Sequence, residues 1–212
     1  MTARSRFIVL EGIDGSGTTT QAKRLSVELE RRGTPTIVTC EPTSGPIGRL
    51  IRQALRRELP SESGEAPRAL SWSTMALLFA ADRLDHLDAV VLPALSAGRT
   101  VVCDRYALSS LAYQSVTSPE GEGAVPWIRE LNARTLRPDL TIVLDVSDQT
   151  AAARREKRGG PPEIFEVREI QRRLAEVYAR AETLVPEERV VHVADGSVDE
   201  VGKRVLGAVL AG

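Results

Sequence analysis

The chain has 212 residues, a net charge of -1 and 42% hydrophobic residues, which predicts one globular domain that buries about 70% of its unfolded surface. So even a charge balance gives no field to gather a nucleic acid polymer or an anionic membrane, and no apolar run approaches the roughly 18 residues of a membrane span. The two cysteines, Cys40 and Cys103, lie in or beside apolar runs and read as reduced, buried thiols of a cytoplasmic protein.

Met1 to Arg6 is basic, but the apolar segment after it is short and enters a glycine loop, so no signal peptide is expected. Phe7-Ile8-Val9-Leu10 reads as a buried parallel strand. The stretch from Glu11 to Gln21 then has the spacing of a phosphate-binding P-loop, in which Gly12 and Gly17 fit and Thr19 supplies the final hydroxyl. Thr18 stands where that motif has its lysine. Gly12, Ile13, Asp14, Gly15, Ser16, Gly17, Thr18, Thr19 and Thr20 are the expected ATP-binding segment, because glycines let backbone N–H groups turn toward phosphates at a helix N-terminus. Lysine is scarce (Lys23, Lys157 and Lys203 only), so a replacement charge must come mainly from arginine.

Ala22, Leu25 and Leu29 recur at helical spacing up to Gly33, and Thr36 to Thr39 reads as a second strand. Ile47 to Glu58 reads as a helix, Pro60 to Pro67 as a polar loop, and Ser71 to Ala97 as a long helix kinked at Pro93. Within it Phe79 and Arg83 share one face. They suit stacking on a flat base and donating to its carbonyl oxygen; read alone, they suit a core ring beside a solvated arginine. Thr100 to Asp104 is a third strand whose closing carboxylate needs a cation or a metal, or a structural ion pair with a neighbouring arginine. Arg105 can clamp phosphate, and Ser110, Tyr113 and Gln114 follow on a short helix, Ser109 to Ser115.

Trp127 to Leu136 reads as a helix, Leu140 to Asp145 as a fourth strand, and Thr150 to Lys157 as a basic helix broken by Gly159-Gly160-Pro161-Pro162. Arg154-Arg155-Glu156-Lys157-Arg158 is either a solvated face or a lid that closes over phosphates. Ile164 to Leu184 reads as a helix, Val190 to Val193 as a fifth strand and Val198 to Leu210 as a closing helix. Five short apolar strands alternating with helices predict an α/β fold, a five-stranded parallel sheet covered on both faces, with a lid at about residues 147–166. Ligands of such sheets bind at the strand C-terminal ends. The glycine loop, Glu41-Pro42 and Asp104-Arg105-Tyr106 all fall there.

Together FIVLEGIDGSG, CEPTSGPIGRLIR, LLFAADRLDHLDAVVLPAL, DRYALSSLAYQ, PDLTIVLDV and the arginine segment resemble the thymidylate kinase family of P-loop nucleoside monophosphate kinases. The resemblance implies phosphoryl transfer from ATP to dTMP with Mg²⁺, in dTTP biosynthesis. It implies that Phe79 stacks on thymine, Arg83 reaches its exocyclic oxygen, Ser110 and Gln114 contact the base edge, and Tyr113 packs below the deoxyribose. Arg105 would bridge the two phosphoryl groups, and Asp14 would lie near the acceptor sugar and the metal. Pro42 would line the dTMP site with Glu41, while Thr19, Glu41 and Asp104 organise the metal. A homodimer is implied as well.

Three departures from the family pattern stand out: Thr18, Cys40 in place of an arginine with Thr43-Ser44-Gly45 after Glu41-Pro42, and Ile164 between Glu163 and Glu166 in the lid. A unit charge about 4 Å from a phosphate oxygen is worth on the order of 4 kcal/mol at an effective dielectric near 20, roughly a thousandfold in rate. The reading adopted is an active kinase in which Arg154 and Arg158, four apart on the lid helix, supply the missing charge. A catalytically weak or non-catalytic nucleotide-binding homologue, or a kinase for another pyrimidine nucleotide, are the alternatives.

Overall fold

A computed structural model describes residues 5–60, 67, 69–159 and 164–211. Most of the Pro60–Pro67 loop, the Gly160-Pro161-Pro162 break and Glu163 lie outside these residues. Five strands form one all-parallel sheet: β1 (Phe7–Glu11), β2 (Thr36–Cys40), β3 (Thr100–Asp104), β4 (Leu140–Asp145) and β5 (Val190–Ala194), in the order β2-β3-β1-β4-β5. The register runs Leu10 opposite Asp104 and Ile142, and Cys40 opposite Asp104, so the strand ends that carry functional side chains lie level.

β1, β3 and β4 are central and buried along their length except for Asp145, as continuous Val/Ile/Leu runs demand. β2 is an edge strand with alternating burial, so Val38 and Cys40 face outward. The expectation of two buried thiols is therefore corrected: Cys103 is buried and Cys40 exposed.

Helix α1 (Thr18–Arg31) follows the glycine loop, and α10 (Val198–Leu210) packs beside it on one sheet face. Their apolar stripes, Ala22, Leu25, Leu29, Val201, Val205 and Val209, close over Ile8, Leu10, Val102 and Ile142. The opposite face carries α2 (Pro46–Leu55), α3 (Trp72–His86), α5 (Ala107–Thr117), α6 (Val125–Leu131) and α8 (Arg168–Tyr178).

The long helix is not simply kinked at Pro93. A π-helical turn, Leu87–Val91, separates α3 from α4 (Leu92–Ser96), with the Leu92 N–H bonded to the Leu87 carbonyl. Pro93 has no N–H and its ring crowds the carbonyl four residues back, so a widened turn just before it relieves both faults. The helix expected over Ile164–Leu184 is also divided. After α8, Arg180 leaves helical geometry, and α9 (Ala181–Leu184) starts again with Ala181 fully buried. α7 (Asp148–Arg158) is the basic helix of the expected lid.

Candidate active site

The loop between β1 and α1 turns through positive φ at Gly12, Gly15 and Gly17. At Gly15 a side chain has no room, since a Cβ there would collide with the Ala151 carbonyl of α7. The lid helix is thus seated on the glycine loop, and Arg155 donates to the Asp14 carbonyl. A cavity of about 920 Å³ opens over the loop. Its wall includes Asp14, Gly15, Ser16, Gly17, Thr18, Thr19 and Thr20, with Arg154 and Arg158 from α7 and Gly196 and Val198 beyond β5. Gly12 and Ile13 are not on that wall: Ile13 is buried in the core, and Gly12 turns its carbonyl to Arg105.

Arg154 and Arg158 therefore share the loop cavity, as their spacing predicts. Each also holds a carboxylate, Arg154 with Asp195 and Arg158 with Glu166, both at 2.8 Å. The basic run is not a uniformly solvated face. Thr18 is buried at the first position of α1 and also lines the cavity.

Thr19 donates its hydroxyl to Asp104 Oδ2, while Asp104 Oδ1 is buried without a hydrogen-bond partner among the described residues. Asp104 thus meets a hydroxyl and an open coordination direction. A hydroxyl, a carboxylate and one orphaned oxygen fit Mg²⁺, which keeps most of its waters and needs few protein ligands. Among the described residues no three His, Cys, Asp or Glu side chains gather as a closed metal cage. Glu41 does not join this pair. Its carboxylate lies 2.9 Å from Arg83 Nε and 3.0 Å from His86 Nδ1, all three side chains buried. Arg83 thus supplies a buried counter-charge to Glu41, apart from the Thr19–Asp104 pair.

Arg83 itself is 1% exposed, so it is not a solvated arginine. Its Nη1 donates to Asn132 Oδ1, and its Nη2 donates to the Tyr106 carbonyl at 3.0 Å and to Ser110 Oγ at 3.1 Å. It forms part of a second cavity with Pro42, Phe79, Ser110, Tyr113 and Gln114. Every residue expected at the dTMP site lines this cavity, including Asp14, Glu41 and Arg105. Gln114 is 1% exposed, and its Oε1 is buried without a partner among the described residues. An unpaired amide oxygen is costly unless a ligand donor meets it.

Asp14, Glu41 and Arg105 are the residues common to both cavities. Arg105 has φ 69, an uncommon backbone conformation for a side chain of this size. The turn aims the guanidinium between the cavities, where it donates to the Gly12 carbonyl and to Asp14 Oδ1, each at 2.8 Å. It lies over the Tyr113 ring, 5.2 Å from its centroid. Burial raises the Tyr113 phenol well above its ordinary range, so it stays protonated and donates to Asp14 Oδ1 at 2.9 Å.

Some residues at the site carried no sequence expectation. Gln171 of α8 is fully buried, accepts from the Asp14 N–H at 3.1 Å and donates to Asp14 Oδ2 and the Phe165 carbonyl, both at 2.8 Å. Asp82 accepts from the N–H and hydroxyl of Thr43, and Arg52 donates to the carbonyls of Pro42 and Thr43. Asp82 and His86, four apart and on the buried side of an apolar helix, were a readable sign; Gln171 had none, because only tertiary packing brings it to Asp14.

A parallel sheet, a glycine loop under a basic helix and a second cavity joined to it by an arginine define a P-loop kinase that takes two nucleotides. The thymidylate kinase family model matches residues 10–205, and the chain belongs to that family. A probable thymidylate kinase from Pyrococcus horikoshii is 39% identical, the match covering 97% of this chain and 96% of that one. A thymidylate kinase from Symbiobacterium thermophilum is 37% identical over 95% of this chain and 91% of its own. The solved thymidylate kinase from Candida albicans superposes with a TM-score of 0.78 at 25% identity, covering 100% of this chain and 93% of that chain.

Proposed function

We propose that the chain transfers the terminal phosphoryl group of ATP to dTMP, giving ADP and dTDP for dTTP synthesis. The observation that carries this reading is the pair of cavities meeting at Asp14, Glu41 and Arg105. One has the dimensions and backbone donors of a nucleoside triphosphate site. The other is narrow, with Phe79 as a flat apolar wall and an unpaired Gln114 oxygen able to accept the imide N–H of thymine. Arg83 has five N–H donors. Hydrogen bonds to Asn132, Tyr106 and Ser110 take three of them, and the second N–H of Nη1 is left for an exocyclic oxygen.

Phosphoryl transfer runs on positioning and charge neutralisation. Arg105 stands at the junction and neutralises the group in transit. Asp14 holds Arg105 and orients the acceptor sugar. Arg154 and Arg158 leave Asp195 and Glu166 for the phosphates and supply the charge that Thr18 lacks. Thr19 and Asp104 would hold Mg²⁺, which contributes further charge on the phosphate oxygens when bound. Residues 147–166 act as the lid of a single domain spanning residues 1–212, the protein works as a cytoplasmic homodimer, and no helix among the described residues is long and apolar enough to cross a membrane.

A non-catalytic homologue would have no need of an intact acceptor cavity and a guanidinium aimed across both sites. The test is ADP release with dTMP, dUMP, UMP and dCMP as acceptors. Turnover is expected with dTMP first; binding of both nucleotides without ADP release would overturn the reading.

A further inference from the structure

Glu11 closes β1 and is 0% exposed. Its carboxylate takes four donors. Oε1 accepts from the Tyr106 N–H at 2.8 Å and the Ser109 N–H at 3.1 Å; Oε2 accepts from the Ser109 hydroxyl at 2.6 Å and the Tyr178 hydroxyl at 3.0 Å. Three elements thus meet on one buried side chain: β1, the turn from β3 into α5, and α8. That turn carries Arg105 in its positive-φ conformation. The link continues to the guanidinium, because Arg105 Nη1 donates to Ser109 Oγ at 3.2 Å.

We propose that Glu11 is a positioning residue for phosphoryl transfer, fixing Arg105 at the junction of the two cavities through the Tyr106–Ser109 turn and the Ser109 hydroxyl. Its two bonds to backbone N–H groups set the turn and close the first turn of α5. Its bond from the Ser109 hydroxyl sets the direction of that hydroxyl. With the proton pointed at Glu11, the oxygen offers lone pairs to Arg105. If Glu11 takes up a proton, its own O–H turns to Ser109 Oγ or Tyr178, and the Ser109 proton swings toward the guanidinium, where it repels. The proton arrives from solvent at Glu11 and no other group changes charge.

Burial holds the Glu11 carboxyl up at about 7, against the opposing pull of Arg105 and of its bonds to Ser109, Tyr106 and Tyr178. The charged and titratable groups facing it are Arg105, Cys103 of β3, Tyr113 of α5 and Tyr178 of α8. Burial raises both phenols and the thiol well above their ordinary ranges, so none of them titrates near neutrality. Glu11 is then the group in this cluster that changes charge there.

The inference rests on the role given to Arg105, and the experiment separates the two. Steady-state kcat and KM with ATP and dTMP are measured from pH 6 to pH 9 for the wild type, Glu11→Gln, Ser109→Ala and Arg105→Lys. Glu11→Gln keeps an acceptor for the backbone N–H groups and removes the charge. Its kcat is expected to fall about tenfold or more at pH 8, as for a group misplaced by a fraction of an ångström, with KM for dTMP little changed. The acid limb of the wild-type kcat profile is expected to vanish in Glu11→Gln and to flatten in Ser109→Ala, whose kcat also falls because the hydroxyl that links Glu11 to Arg105 is gone. Wild-type kcat with an unmoved pH profile in Glu11→Gln overturns the inference, as does wild-type kcat in Ser109→Ala if Glu11→Gln does not fold. Full activity in Arg105→Lys instead removes the role of Arg105 on which the inference stands.

Discussion

At the scale of single residues, the site distributes a missing charge and holds an unmet hydrogen bond. Thr18 brings no cation to the phosphate loop, and the cavity over that loop gains Arg154 and Arg158 from the lid helix instead. Losing one such donor costs about a hundredfold in turnover once the lid has closed it off from water. Arg154→Ala and Arg158→Ala are each expected to lower kcat/KM for ATP by about that factor, while Arg31→Ala, whose side chain is 75% exposed, leaves it unchanged. Thr18→Lys placed in the Arg154→Ala background is expected to recover much of the loss. Equal effects of all three alanine variants would take the lid arginines out of the mechanism. In the acceptor cavity, Gln114→Leu removes the amide that awaits a donor from the base. A hydrogen bond of that kind is worth about 1–3 kcal/mol, so KM for dTMP is expected to rise about fivefold to a hundredfold with KM for ATP unmoved. Steady-state titration of each nucleotide at saturation of the other checks it.

At the scale of elements, short connections carry the chemistry and helices brace them. The turn after β2 shows this. Arg52 of α2 bonds the carbonyls of Pro42 and Thr43, Asp82 of α3 bonds Thr43, and Gly48 lies so close that a Cβ would collide with the Thr43 backbone. Gly48→Ala is therefore expected to push this turn off α2, raising KM for dTMP and lowering the thermal midpoint by several degrees, since about 1 kcal/mol shifts a domain of this size by 2–4 °C; an unchanged KM would show that the turn tolerates the displacement. The strands were readable because each is a short apolar run stopped by glycine, proline or a carboxylate. α10 was readable from end to end because Ser197 and Glu200 form a capping box. The ends of α2 and α6 and the division of α8 from α9 were not, because packing decides them: Ala181 and Val185 reach the core only if the chain leaves helical geometry at Arg180. Phe79, Arg83, Ser110, Tyr113 and Gln114, grouped from the sequence, line one cavity. Glu11 went unassigned although the argument applied to Asp104, a carboxylate ending an apolar strand, applies equally to it.

At the scale of the whole molecule, two properties extend beyond the site. Leu77 and Leu84, seven apart on α3, are 51% and 36% exposed, and Leu92 of α4 is exposed as well. A stripe of this kind fits the homodimer proposed above. Sedimentation equilibrium is expected to give a dimer that a Leu77→Glu, Leu84→Glu double substitution converts to monomer; a wild-type monomer would reject that assembly. The second property is stability against pH. Glu11 moves from an ordinary 4.5 to about 7 on folding, with burial the largest cause. The folded state therefore binds this proton more tightly than the unfolded chain. The linked stabilisation is fully present below pH 4.5 and fades as pH rises toward 7, by about 3 kcal/mol for a shift of this size. Glu11→Gln carries no such proton, so the stability difference between variant and wild type is expected to widen in the variant's favour between pH 5 and pH 8. Urea unfolding at fixed temperature across that range measures it; a constant difference would place the Glu11 carboxyl at its ordinary value. The same titration acts on turnover with the opposite sign, because the charged form directs Ser109 toward Arg105. Glu11 thus exchanges stability for a fixed guanidinium, and a chain relieved of it should be harder to unfold and slower to transfer phosphate.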